Sequence, residues 1–226
     1  MLNTVKNQLI VSCQALEAEP LHSSFIMAKM ALAAAQGGAA GIRANSVADI
    51  IAIKKEVTLP VVGIIKRDYP DSPVFITATT KEIDELAQSG CEMIALDGTC
   101  RTRPNGETLA EIVAYAKNTY PEILLMADVA TVADVAVANE LAFDCISSTL
   151  IGYTAESKND AVAANDFAIL KEMLAISKLP LIAEGNIDTP EKAKKVLALG
   201  LHSVVVGGAI TRPQLITEKF AKAIQK

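Results

Sequence analysis

Short apolar runs alternate along this chain with longer stretches whose apolar positions recur at helical spacing. The runs are Leu9–Cys13, Ala40–Arg43, Pro60–Ile65, Glu92–Leu96, Ile123–Ala127, Asp144–Ser148, Leu179–Ala183 and Val204–Val206. A strand covered on both faces is apolar throughout rather than at every second position, so these runs predict a parallel sheet flanked by helices. Helices are predicted over Ser24–Gln36, from the Asn45-Ser46 cap through Lys55, and over Thr80–Ser89 and Glu107–Asn118. Further helices are predicted over Thr131–Glu140 and Asn165–Ser177, from Asp188-Thr189-Pro190 to the stop at Gly200, and over Arg212–Ile224.

The punctuation is clearest in Leu179–Pro213. An apolar run breaks at Glu184-Gly185-Asn186, a capped helix follows with its proline in the first turn, and a second run ends at Gly207-Gly208. Eight strands and eight helices in strict alternation over 226 residues predict a single-domain (β/α)8 TIM barrel spanning residues 1–226. A doubly wound open sheet is the alternative. One segment departs from the alternation. Arg67–Ala78 carries Pro70 and Pro73 with a short extended piece near Val74–Thr77, and it falls where a lid or specificity loop over the barrel mouth would lie.

Composition narrows the function classes. The net charge is −5 with basic residues scattered, so no nucleic-acid partner is expected. Neither a signal-peptide layout nor a membrane-length apolar stretch occurs, so no membrane association is expected and the expected location is cytoplasmic. The four cysteines, Cys13, Cys91, Cys100 and Cys145, lack C-x-x-C spacing and read as thiols in a reducing compartment. Outer helices rich in alanine and leucine make a homodimer the expected assembly, ordinary surface being the other reading.

Polar residues at the C-terminal strand ends of such a barrel converge on one mouth. Here they are Gln14, Arg43, Lys66, Asp97, Asp128, Ser148-Thr149 and Glu184. An isolated charge after an apolar run is costly unless it finds a partner, which favours a shared pocket over simple solvent exposure. A partly desolvated Lys66 with Glu184 in reach suits proton transfer at a carbon beside a carbonyl; an ion pair tethering the third and seventh strands is the structural alternative. Arg43 and Asp128 divide likewise between substrate contact and a mutual salt bridge. Gly185-Asn186 and Gly207-Gly208 read as a phosphate cradle, or as tight turns only, and Arg212 either joins the phosphate or serves the last helix. His22 and His202 lack the ligand spacing of a metal site; His202, at the wrong end of its strand, reads as structural, and His22 as a local hydrogen-bonding group.

The segments LIVSCQALEAEPLHSSFIMAKMA, GGAAGIRAN, VGIIKRDY, ITATTKEIDEL, CEMIALDGT, MADVATVADV, FDCISSTLIGYT, IAEGNI and VVVGGAITRP follow one another as they do in the N-acetylmannosamine-6-phosphate 2-epimerase family, which the chain resembles along essentially its whole length. The resemblance implies a (β/α)8 barrel interconverting N-acetylmannosamine 6-phosphate and N-acetylglucosamine 6-phosphate in sialic acid and amino-sugar catabolism, with no metal and no cofactor. It implies Lys66 in GIIKRDY and Glu184 in AEGNI as the catalytic pair. Sugar contacts fall on Gln14, Arg43, Asp128 and Tyr153, and phosphate contacts on Gly185, Asn186, Gly207, Gly208 and Arg212. Gly98 stands where the family pattern has alanine, and Asn186 where it has asparagine or arginine. Two rivals remain at this stage: a phosphosugar lyase or aldolase with Lys66 as a Schiff base, and a silent barrel that senses a phosphosugar.

Overall fold

In the computed structural model, which describes residues 1–225, the chain begins with α1 (Leu2–Val5), β1 (Leu9–Cys13), α2 (Ser24–Gln36), β2 (Gly41–Asn45), α3 (Val47–Glu56), β3 (Val61–Ile64) and α4 (Thr80–Ala87). It continues through β4 (Met93–Asp97), α5 (Leu109–Thr119), β5 (Leu124–Asp128), α6 (Val132–Ala138), β6 (Cys145–Ser147) and α7 (Ala168–Ile176). The last elements are β7 (Leu181–Ala183), α8 (Pro190–Ala198), β8 (Ser203–Val206), α9 (Gly208–Thr211) and α10 (Pro213–Ile224). All eight strands are parallel and pair in chain order, and β1 closes on β8 to complete the (β/α)8 barrel.

Two apolar layers hold it together. Inside the barrel, Ile10, Val62, Met93, Met126, Ile182 and Val205 pack against one another from alternate strand positions. Outside it, the other strand faces pack under the helices in one continuous cluster that includes Val11, Ile42, Ile94, Leu125 and Ile146. Capping boxes at Thr108/Glu111 and Thr131/Asp134 start α5 and α6, and Thr189 caps α8 ahead of Pro190.

Several boundaries differ from the sequence expectation for physical reasons. β2 runs two residues past Arg43 to Asn45, because Ser46 alone is the cap: its side chain accepts from the Asp49 amide. Arg43 is therefore an internal strand residue, not a terminal one. A short helix that was not predicted, α9, precedes the final predicted helix, which starts as α10 at Pro213, one residue after Arg212, because proline cannot continue a helix from α9. α7 starts later than Asn165, since Asn165, Asp166 and Phe167 all adopt positive φ. An unpredicted turn, α1, sits beneath the barrel, with Val5 buried in the interior cluster and the His202 ring 3.0 Å from the Leu2 carbonyl oxygen, in keeping with a structural His202.

The Arg67–Ala78 segment is a tied-down hairpin. The Arg67 amide donates to the Phe75 carbonyl at 2.9 Å and the Thr77 amide to that of Ile65 at 2.8 Å. Arg67 pairs with Glu82 and Glu85 on α4, and the Tyr69 hydroxyl donates to Glu82 at 2.6 Å. Within it, the side chains of Val74 and Ile76 are buried.

Candidate active site

Inward-pointing positions alternate along a barrel strand. Continued from the packed interior, that alternation aims Arg43 on β2, Asp97 on β4, Asp128 on β5 and Ser147 on β6 toward the barrel axis at its C-terminal end. Arg43 and Asp128 meet as a bidentate pair, Nη1 donating to Oδ1 at 3.1 Å and Nη2 to Oδ2 at 2.5 Å, with side chains 1% and 0% exposed. Nη1 also lies 3.3 Å from Glu184 Oε2. Burial opposes the charge on Arg43, but Asp128 and Glu184 outweigh it and raise its pKa. Both sequence readings of Arg43 and Asp128 met at this point, and the mutual salt bridge is the one formed. The pair lies under the cavity described next.

That cavity, of about 520 Å³, is bordered by Lys66, Glu184, Gln14, Thr149 and Tyr153 together with the glycine-rich ends of β7 and β8. Lys66 follows β3, and the position where it leaves the strand is fixed by its own amide, which donates to Asn45 Oδ1 at 2.9 Å. Among the described residues its ammonium makes no ion pair. The tether across the third and seventh strands is thus not formed. Burial, with the nearby Arg43 and Arg212 charges, lowers the Lys66 pKa to about 8 against the upward pull of Glu184 and Asp128. Lys66 also borders a second cavity, of about 920 Å³, with Asn45, His22 and Phe75.

Glu184 begins the loop after β7. Its amide donates to Ser148 Oγ at 2.9 Å, and the same hydroxyl donates to the Glu184 carbonyl at 2.7 Å, so the backbone is clamped before the side chain is considered. Oε2 takes Thr149 Oγ1 at 3.1 Å and Ser147 Oγ at 3.5 Å. Burial pushes the Glu184 pKa up against the pull of Arg43, and Asp128 pushes it further. Asp97, expected in the mouth, is instead taken by its own loop: Oδ1 accepts from the Thr99 hydroxyl at 2.6 Å, and Arg101 pairs with Oδ2.

The glycine corner lines the same cavity. Gly185 has φ +110°, and a Cβ there would meet Val162 Cγ2 at 3.0 Å, so the close turn excludes a side chain. Asn186 follows at φ +52°, a conformation its short amide tolerates. Among the described residues the amides of Asn186, Gly208 and Ala209 find no protein acceptor, which leaves them available to an anion. Arg212 is brought to the cavity as well, with Nε 2.9 Å from Glu19 Oε1 and Nη2 donating to Glu19 Oε2 at 3.1 Å. Gln14 is buried on the wall; its Nε2 donates to Ser12 Oγ at 2.9 Å while its Oε1 has no partner.

Residues 27–226 match the model of a protein family described as "Putative N-acetylmannosamine-6-phosphate epimerase". The chain belongs to the N-acetylmannosamine-6-phosphate epimerase family. It is 61% identical over 225 residues to a protein of Enterobacter sp. (strain 638), covering 100% of this chain and 96% of that one. It is 62% identical to one from Oceanobacillus iheyensis, covering 97% and 99%. Both carry the name "Putative N-acetylmannosamine-6-phosphate 2-epimerase". The structure titled as the N-acetylmannosamine-6-phosphate 2-epimerase from Clostridium perfringens superposes with a TM-score of 0.94 at 54% identity, covering 99% of this chain and 96% of that one. A thiamine phosphate pyrophosphorylase from Pyrococcus furiosus, at TM-score 0.61 and 15% identity, shares the fold alone.

Seen as a member of this epimerase family, the chain brings Lys66, Glu184, Gln14, Tyr153, Gly185, Asn186, Gly207, Gly208 and Arg212 to one cavity. Tyr153 is one of its more open walls, 59% exposed. The departure at Gly98 has a steric counterpart: a Cβ there would stand 2.8 Å from that of Ala127. Sequence reasoning read Asn45 only as a helix cap and Ser148-Thr149 only as mouth residues, and gave no role to Ser147; it found neither the Asn45 hold on the Lys66 amide nor the contacts of Ser147, Ser148 and Thr149 with Glu184. Strand parity counted from Arg43 would have marked Asn45 as inward-facing.

Proposed function

We propose that this chain, acting as one catalytic domain, interconverts N-acetylmannosamine 6-phosphate and N-acetylglucosamine 6-phosphate by removing and returning the proton on C2. The observation that carries this reading is the unpaired Lys66 amine, with its pKa lowered to about 8, on the wall of the cavity that also holds Glu184 and the open glycine amides. The C1 carbonyl acidifies C2. Neutral Lys66 takes the proton, the C–H electron pair moves into a C1–C2 double bond, and the carbonyl oxygen becomes an enolate oxygen. Return of a proton to the opposite face, from Glu184, from Lys66 itself or through a sugar hydroxyl, gives the epimer. The phosphate, anchored on the amides near Asn186 and Gly208, fixes which face of the sugar meets the lysine. Gln14 and Tyr153 contact the sugar, while Arg43, itself held by Asp128, makes one contact to Glu184 from beneath. The same proposal places the enzyme in the cytoplasm as a homodimer; the exposed Phe25, Phe220 and Ile224 on outer helices support the second point.

Proton NMR of N-acetylmannosamine 6-phosphate with the protein in deuterium oxide tests the reading. Appearance of N-acetylglucosamine 6-phosphate with loss of the C2 proton signal is expected, and Lys66→Ala abolishes the exchange while phosphosugar binding persists. Binding without exchange by the wild-type protein refutes epimerisation and leaves a sensor, and covalent trapping of sugar by borohydride marks a Schiff-base enzyme instead.

A further inference from the structure

Thr149 stands between the two carboxylates of the site. Its Oγ1 is 2.8 Å from Asp128 Oδ1, 3.1 Å from Glu184 Oε2 and 2.9 Å from Ser147 Oγ. Arg43 Nη1 bridges the same two carboxylate oxygens, at 3.1 and 3.3 Å. Every protein contact to the Glu184 carboxylate converges on Oε2, and Oε1 makes no hydrogen bond among the described residues. We infer that Thr149 is a positioning residue for Glu184, one that holds Oε2 in place so that Oε1 meets the substrate, and that satisfies Glu184 in both of its charge states.

The argument is one of proton counting. A hydroxyl donates one proton and keeps two lone pairs, so it serves a carboxyl oxygen without moving its own. When Glu184 is ionised, Oε2 accepts from Thr149 Oγ1 and from Arg43 Nη1. When Glu184 is protonated at Oε1, on the substrate side, Oε2 remains an acceptor for the same two donors. Glu184 therefore gains or loses a proton with no rearrangement of heavy atoms, which is what rapid proton exchange in a preorganised site requires. Valine has the same shape and neither capacity. The other charged groups facing this cavity are Lys66 on β3, Arg212 before α10, and Asp188 with Lys219, which pair with each other at 3.0 Å; Asp97 on β4 is held by Arg101.

This inference rests on the epimerase reading, and the test separates the two. Wild type, Thr149→Val and Thr149→Ser are compared for C2 exchange and epimerisation across pH, with circular dichroism as the check on folding. Thr149→Val is expected to lose about 10- to 100-fold in kcat, with KM within about 3-fold of wild type and the Glu184 limb of the pH profile displaced. Thr149→Ser restores kcat to within about 3-fold and returns the limb. If the valine variant does not fold, Thr149→Ala, which removes the hydroxyl without adding bulk, carries the same expectation. Wild-type kcat and pH profile in the hydroxyl-free variant, or failure of serine to rescue, overturns the inference while leaving the epimerase reading intact. Absence of exchange in the wild type overturns that reading instead.

Discussion

Lys66 is a residue the fold tolerates at a cost, and replacing it makes that cost measurable. Its side chain is largely buried with no ion-pair partner among the described residues, and its pKa falls from 10.5 to about 8. Between those two values the unfolded chain binds a proton that the folded chain does not, so stability rises with pH across that window and is lowest below it. A depression from 10.5 to about 8, at about 1.4 kcal/mol per unit, makes the folded state about 3 kcal/mol less stable at about pH 7 than it would be with a neutral side chain there, and about 2 kcal/mol less stable at about pH 9. Lys66→Met keeps the length of the stem and removes the charge. The variant is expected to be inactive yet more stable than wild type, by up to about 3 kcal/mol at about pH 7, or roughly 6–12 °C in Tm for a chain of this size. That advantage shrinks by about 1 kcal/mol at about pH 9. Urea unfolding of both proteins at the two pH values is the assay. A methionine variant less stable than wild type at neutral pH, or an advantage that grows with pH, refutes the claim that the amine is desolvated and unpaired.

Two further substitutions probe the parts beneath and beside the site. Asp128→Asn leaves the fully buried Arg43 with only the partial contact to Glu184, and is expected to destabilise the fold by about 3–5 kcal/mol in urea unfolding; near-wild-type stability would mean that the bidentate pair is not what holds Arg43. Gly98→Ala drives a methyl to 2.8 Å from Ala127 Cβ and 3.3 Å from the Asp128 carbonyl, and is expected to cost about 1–3 kcal/mol. Adding Ala127→Gly recovers most of that loss if the clash is its cause, and thermal melts of the single and double variants decide the point.

The barrel was legible because a strand buried on both faces has few polar positions to blur its limits: Val61–Ile64 stands out of the sequence almost unaided. Where limits were misjudged, a polar residue inside the barrel looked like a terminus. Arg43 ended the second strand on paper, yet its charge is answered by Asp128 from across the barrel, a contact 85 positions away along the chain. Asp97 was misjudged for the opposite, local reason: Thr99 and Arg101, two and four residues further on, take its carboxylate. Lys66 and Glu184 were legible as lone charges after apolar runs. Ser148 and Thr149 were legible as mouth residues but not by their partners, and Ser147 was not legible at all, because small hydroxyl residues are common at strand ends and only the register decides which of them faces a carboxylate.

The charges under the cavity explain why the amine can be left alone. Asp128 occupies both ends of the Arg43 fork, so Glu184 receives only a side contact from Nη1 and is not held firmly in its ionised form. Burial then acts on the two free partners in opposite senses, lowering the proton affinity of Lys66 and raising that of Glu184. An ammonium with a carboxylate, and an amine with a carboxylic acid, are thereby brought closer in free energy than they are in water, where about six pKa units separate the groups. In the roles proposed for Lys66 and Glu184, such near-balance is an advantage for a reaction whose two directions both begin by lifting a proton from C2, because neither direction must first climb to a disfavoured protonation state. A stronger Arg43–Glu184 bond would fix the carboxylate and lose that balance, and it is the pairing of Arg43 with Asp128 that prevents it.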